Sequence, residues 1–155
     1  MTNSHLKKVV ITGLGAITPI GNNLNEYWDS LMAGRSGITK ISYFDAQYHV
    51  CRIAGEVKDF NPYDYLDRKD VKRMDRFCQF GVSASLQALA DSQLVINEAN
   101  ADQIGIIIGT GIGGVKVLED QQEIYLKRGP SRCSPFTIPT TVSYTHLRAH
   151  ETVMN

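Results

Sequence analysis

Few side chains in this sequence have chemical reach. They are three cysteines (Cys51, Cys78, Cys133), the histidines His146 and His150, and a basic cluster at Lys69, Lys72 and Arg73. A cysteine attacks as its thiolate, which needs a neighbouring base, a cation or a helix N-terminus. Cys133 follows Arg132, a charge of the right sign, but no histidine stands beside it. Cys51 lies in a stretch without a recognisable base. Cys78 falls on an apolar helical stripe, where a cysteine packs as a small hydrophobe. His146 and His150 share one face if helical. Leu147 occupies the glutamate position of a zinc-protease H-E-x-x-H helix, and Ala149 breaks the inverted order. With no third ligand evident, the pair does not define a metal site.

Two glycine-rich turns offer a different chemistry. "VVITGLGAITPIG" (Val9 to Gly21) and "IGIIIGTGIGG" (Ile104 to Gly114) each place glycines after an apolar, β-branched run. A dinucleotide fold needs G-x-G-x-x-G with a helix starting at the second glycine, so that the helix N-terminus faces the pyrophosphate. Thr18 stands at the third glycine position, and Pro19 and Gly21 resist a helix begun at Gly15. "GTGIGG" lacks the lysine and Ser/Thr of a phosphate-binding P-loop. The glycines read better as places where strands end and backbones approach closely. A small nucleotide-binding module remains the alternative from another class.

The elements that would position these residues alternate along the chain. Lys8 to Thr12 reads as a buried strand. Asn22 to Ala33 reads as a helix with Leu24, Trp28 and Leu31 on one face, and Arg52 to Val57 as a short strand. Asp70 to Ser92 reads as one long helix, with Val71, Met74, Cys78, Val82, Leu86 and Leu89 at three- or four-residue spacing. Ile104 to Thr110 reads as a strand buried on both faces, and Val115 to Lys127 as a helix stopped by Gly129-Pro130. The pattern predicts an α/β protein on a largely parallel sheet.

Composition sets the outer bounds. In 155 residues, hydrophobic side chains make up 43% and charged ones 21%, and Lys+Arg equals Asp+Glu at 16 each. A uniformly basic nucleic-acid or membrane binder is not indicated. No apolar run is long enough to span a bilayer. The apolar stretch after Lys7 and Lys8 holds Gly13, Gly15, Thr18 and Pro19 and no small-x-small cleavage site, which argues against a signal peptide. An odd number of unpaired cysteines fits a reducing cytoplasm.

Five segments occur in order: "VVITGLGAITPIG", "W-x-x-L-x-x-G-x-SGI" at Trp28 to Ile38, "RKDVKRMDRF", "IGIIIGTGIGG" and "SPFTIPTT". Together, from Lys7 to about Val142, they resemble the N-terminal part of a β-ketoacyl-acyl-carrier-protein synthase of the type II elongating class. The resemblance implies the N-terminal part of a thiolase-like α/β/α/β/α layered sandwich, incomplete here, and a cytoplasmic homodimer of fatty-acid synthesis. It implies decarboxylative condensation of an acyl chain with malonyl-acyl-carrier protein, and no cofactor. The family's nucleophilic cysteine and its two histidines belong to motifs downstream of "SPFxxP", so none of the three cysteines here matches. The resemblance assigns Lys69, Lys72, Arg73 and Arg132 to the acidic carrier protein. It assigns Ile112, Phe136 and Thr137 to the acyl pocket, Thr137 standing where many relatives carry a second phenylalanine. Without the resemblance, the basic cluster reads equally as a solvated helix face interleaved by Asp67, Asp70 and Asp75. A polyketide-type ketosynthase or a chain-length-factor partner is the alternative within the fold. Residues 143–155 match none of the five segments and read as a foreign or frameshifted tail. With covering layers partly missing, apolar surface and unpaired sheet edges are expected to stay exposed.

Overall fold

The first helix opens at Asn23 because its side chain accepts a hydrogen bond that the first turn leaves unmade. In the computed structural model, which describes residues 7–142, Asn23 Oδ1 accepts from Glu26 N at 3.0 Å, while Glu26 Oε2 accepts from Asn22 N at 2.9 Å. This variant of the capping box sets α1 at Leu24–Met32, inside the expected span. A tight turn at Thr18–Gly21 separates the first glycines from α1, so no helix starts at Gly15.

A two-stranded antiparallel ribbon follows. β1 (Ile38–Lys40) pairs with β2 (Ile53–Gly55), Ile38 opposite Gly55 and Lys40 opposite Ile53. Directly after β2, the buried Glu56 accepts from Ser42 Oγ at 2.7 Å, Ser42 N at 2.9 Å and Tyr43 N at 3.1 Å. The Ser42 hydroxyl first, then the backbone amides and Lys58, hold its carboxyl below the ordinary glutamate range.

The expected single helix over Asp70 to Ser92 is two helices, α2 (Arg68–Val71) and α3 (Arg76–Ser92). The apolar repeat runs through both, but each begins at its own aspartate. Asp67 accepts from the Lys69 and Asp70 amides, and Asp75 from the Arg76 amide. A capping carboxylate inside a periodic stretch favours a new start over continuation. Gln79 closes the turn between them, donating to Val71 O at 3.2 Å and Met74 O at 3.1 Å. Cys78, Val82 and Ser83 of α3 are buried. α4 (Val115–Arg128) runs one residue past its expected end to Gly129, whose φ of 82° is a left-handed stop. A short α5 (Thr137–Thr141), unmarked by any sequence signal, packs back on α4. Among the described residues no helix is long and apolar enough to cross a membrane.

The two apolar runs depart from expectation. Neither Lys8 to Thr12 nor Ile104 to Thr110 has a strand partner among the described residues. Val9 is 94% and Ile107 99% exposed, where burial on both faces was expected, while Ile104 and Ile108 are half-buried. The physical reason is that β-branched composition states a preference, but a ladder needs a neighbouring strand to complete it. Between the two runs, over Val82, Leu86 and Leu89 of α3, lies an open apolar groove of about 350 Å³.

What seats the N-terminal run on α3 is the pair of glycines. A Cβ on Gly13 would overlap the Ala88 carbonyl and approach Ser92 N at 2.6 Å. One on Gly15 would overlap the Ala84 carbonyl and reach Ala88 N at 2.9 Å. Leu14 N donates to Asp91 Oδ2 at 2.9 Å and Ala16 N to Gln87 Oε1 at 3.0 Å, fixing the register. Gly13→Ala and Gly15→Ala are each expected to destabilise the fold by at least ~1–3 kcal/mol, because rigid helix backbone must move. Gly105, with nothing within 4 Å of its Cβ position, serves as control. Thermal unfolding of the three variants checks this. A Gly105→Ala loss as large as the other two contradicts the packing argument.

Candidate functional site

The basic cluster rides on the α2–α3 connection. Lys69 lies in α2, Lys72 caps its C-terminal end, and Arg73 follows in the turn; all three are exposed. The interleaved aspartates do not neutralise them in salt bridges. Asp67 and Asp75 turn their carboxylates to backbone amides, and among the described residues the ion pairs are Lys116–Asp120 and Lys127–Glu123, both on α4. Arg76, in the same basic run, is committed elsewhere. Its guanidinium lies 5.0 Å from the Phe80 ring centre, 5.7 Å from Tyr43 and 5.9 Å from Phe60, and donates to Val57 O at 3.2 Å. It therefore ties the segment after β2 to the start of α3. Arg132 is exposed in a one-turn 3₁₀ helix (Pro130–Arg132) beyond the C-terminus of α4, apart from the other three in the chain.

The "GTGIGG" turn sits at the other end of α4. Gly113 N donates to Thr110 Oγ1 at 3.2 Å and Gly114 N to Thr141 O at 3.1 Å, so α5 holds the turn from behind. Ile112, at its tip, is 82% exposed. Phe136 and Thr137 open α5. Thr137 Oγ1 donates to Ser134 O at 2.6 Å, and Ser134 N donates to Gln121 Oε1 of α4 at 2.7 Å. Phe136 is 61% exposed. The structure thus joins the Ile112 turn and the Phe136–Thr137 segment through α4 and α5, and leaves both apolar side chains uncovered. The residues that spacing did not single out are the ones holding this arrangement: Asp75, Gln79 and Gln121. Asp75 alone carried a readable signal, a capping aspartate before an apolar repeat.

The cysteines are thiols in unremarkable surroundings. Cys51 Sγ donates to Ile53 O at 3.4 Å and is exposed. Cys133 Sγ donates to Gln121 O at 3.9 Å. Burial, then the nearby Asp75 carboxylate, push the Cys78 thiol up to about 11. The residues His146 and His150 lie outside the described residues. For the nucleotide alternative, the space beside Gly13 and Gly15 is filled by α3 backbone. The α1 N-terminus is already capped by Asn23 and Glu26.

With this geometry in place, known proteins supply the class. The chain matches the family described as "Beta-ketoacyl synthase, N-terminal domain" over residues 6–149, past Val142, and belongs to that family. Its relatives include the 3-oxoacyl-(acyl-carrier-protein) synthase 2 of Synechocystis sp., 64% identical over 92% of this chain and 34% of that protein. The protein of the same name from Vibrio cholerae is 43% identical over 88% of this chain and 33% of its own length. This chain therefore spans about a third of the length of these relatives. Among solved structures, the ishigamide ketosynthase/chain length factor superposes with a TM-score of 0.76 at 29% identity, covering 94% of this chain and 37% of that one. A β-ketoacyl synthase from Burkholderia phymatum gives 0.73 at 26% identity, covering 95% and 37%. A type II polyketide ketosynthase solved with its acyl-carrier protein shares the fold, with a TM-score of 0.71 at 22% identity over 91% of this chain and 36% of that one. The architecture is the N-terminal part of the thiolase-like layered sandwich, incomplete, as the resemblance implied.

The raised Cys78 thiol has a pH signature. The folded state holds its proton between the ordinary thiol value of 9.0 and about 11, where the unfolded chain has released it. Its contribution is therefore fully present below pH 9 and is lost as pH rises towards 11. Denaturant unfolding across this window should show falling stability, and Cys78→Ala should flatten the fall. An unchanged slope in the variant contradicts the assignment.

Proposed function

We propose that this chain is the carrier-docking and pocket-wall portion of an elongating β-ketoacyl-acyl-carrier-protein synthase. In the whole enzyme an acyl group is held as a thioester on a cysteine. Malonyl-acyl-carrier protein loses carbon dioxide, and the carbanion attacks that thioester, forming the new carbon–carbon bond, breaking the acyl C–S bond and releasing the cysteine as thiolate. The observation that carries the docking role is the exposure of Lys69, Lys72 and Arg73 without a carboxylate partner among the described residues. Free cations on one rigid connection suit an acidic, transient partner, because they steer its approach without contributing to the core. Arg132, exposed beyond α4, is assigned to the same partner. Ile112, Phe136 and Thr137 are assigned to the acyl channel, since an apolar chain needs apolar walls. Residues 143–155 are assigned no part in either role. A cytoplasmic setting and a homodimer accompany this reading, with no nucleic acid or membrane as partner.

A polyketide-type ketosynthase or chain-length factor is the second reading, favoured by the superposition on the ishigamide protein. The higher identity to proteins named as 3-oxoacyl-(acyl-carrier-protein) synthases supports the fatty-acid assignment over it.

Two measurements test the proposal. Acyl-carrier protein titrated into the chain should bind in a salt-dependent manner, and Lys72→Glu with Arg73→Glu should weaken association by about tenfold, as expected for removal of electrostatic steering. An unchanged affinity and salt slope would make the cluster a merely solvated face. The chain by itself should release no carbon dioxide from malonyl-acyl-carrier protein with an acyl primer, because no activated nucleophile accompanies the pocket residues. Turnover abolished by Cys133→Ala would overturn that part.

A further inference from the structure

We infer that Asp75 is a positioning residue that holds the Ile112 turn against the basic α2–α3 turn, so that the two surfaces move as one unit. The inference rests on the docking and pocket roles proposed above and adds a connection between them. The Asp75 Oδ1 atom accepts the Arg76 amide and so starts α3. Its Oδ2 faces the residue that precedes the next long helix: a Cβ built on Gly114 would come within 2.7 Å of it. Gly114 opens α4 without a side-chain cap of its own, and it is buried. The same carboxylate therefore sits against the N-terminal ends of two helices, where negative charge is favourable. The contact is closed from the other side by Thr141, whose carbonyl accepts from Gly114 N at 3.1 Å and lies 2.7 Å from the Cβ position of Gly113. Phe77, two residues after Asp75, comes to 4.0 Å of that same position. Only residues lacking a side chain fit between α3 and α5 here. On the other flank, Gln79 ties the Lys72–Met74 turn to α3 through Val71 O and Met74 O. Packing and hydrogen bonds thus run from the turn that carries Arg73, through Gln79 and Asp75, to Gly113 and Gly114, next to Ile112.

Asp75→Ser is the discriminating variant. Serine caps a helix as well as aspartate does, so α3 keeps its start. Its shorter side chain no longer reaches Gly114. Asp75→Asn keeps both the cap and the reach. Amide exchange on the isotope-labelled chain is expected to speed up by about tenfold or more at Gly114, Val115 and Lys116 in Asp75→Ser, with the interior of α3 from Val82 to Leu89 unchanged and Asp75→Asn close to the parent chain. When acyl-carrier protein is added, the amide signals of Gly113 and Gly114 should shift together with those of Lys72 and Arg73. In Asp75→Ser the Lys72 and Arg73 signals should still shift and the glycine signals should not. Exchange that rises equally along α3, or glycine shifts that persist in Asp75→Ser, would overturn the positioning role. If carrier protein perturbs no residue from Lys69 to Arg73, the docking reading fails, and the exchange pattern alone still decides the role of Asp75. Should Asp75→Ser fail to fold, Asp75→Thr, which also caps but does not reach Gly114, takes its place: glycine signals that no longer follow the carrier support the inference, and Gly114 exchange and a carrier response that match the parent chain count against it.

Discussion

The N-terminal part of this fold is referred to the face of α3 that Gly13, Leu14 and Gly15 lie on. Backbone rests directly on backbone there, and the missing side chains are what allow it. Gln87, one turn below Asp91, extends the contact. It accepts from Ala16 N and donates at 2.8 Å to both Asn22 O and Tyr65 Oη. One side chain thus binds the N-terminal run, the entrance to α1 and the one-turn 3₁₀ helix at Pro62–Asp64 to the same helix. The Leu14 and Ala16 amides, which have no strand partner, find an aspartate and a glutamine instead.

The opposite end of α3 does the corresponding work for the functional surfaces. Arg76 draws Tyr43, Phe60 and Phe80 around its guanidinium, and Phe60 stands edge-on to Phe80 with ring centres 5.0 Å apart. This cluster anchors the ribbon of β1 and β2. The Glu56 carboxylate, fastened to Ser42 and Tyr43, carries the anchor back to the end of β1. The exposed lysines and arginine on α2 and its turn are free of such duties. The division is chemical: the arginine with aromatic neighbours is structural, and the cations without neighbours are available.

Much of this was legible in the residue order. The spacing of Leu24, Trp28 and Leu31 announced α1, Gly129-Pro130 announced the end of α4, and the glycines of "VVITGLG" were rightly read as a close backbone approach. The family itself was legible from five spaced segments. The break in the long helix was missed because periodicity counts apolar positions and is blind to a capping aspartate that fits the polar face, as Asp75 does. The two apolar runs were read as buried strands because composition reports what a segment prefers; pairing depends on residues far away in the chain. α5 escaped notice because "TIPTT" carries a proline and β-branched residues, both poor helix formers, and is held in place by α4 instead. For Ile112, Phe136 and Thr137, sequence order alone could not show that α4 and α5 tie their segments together.

The clasp of Gly13 and Gly15 on Ala84 and Ala88 has a consequence in time. Its two halves are separated by more than seventy residues of chain, as the hydrogen bonds from Leu14 to Asp91 and from Ala16 to Gln87 make plain. On a ribosome adding about 5–20 residues per second, the apolar run at the N-terminus emerges roughly 4–15 s before the helix that will receive it. For that interval the Gly13–Leu14–Gly15 backbone has no helix to lie on. Closure of the clasp therefore waits until the last turns of α3 have been made.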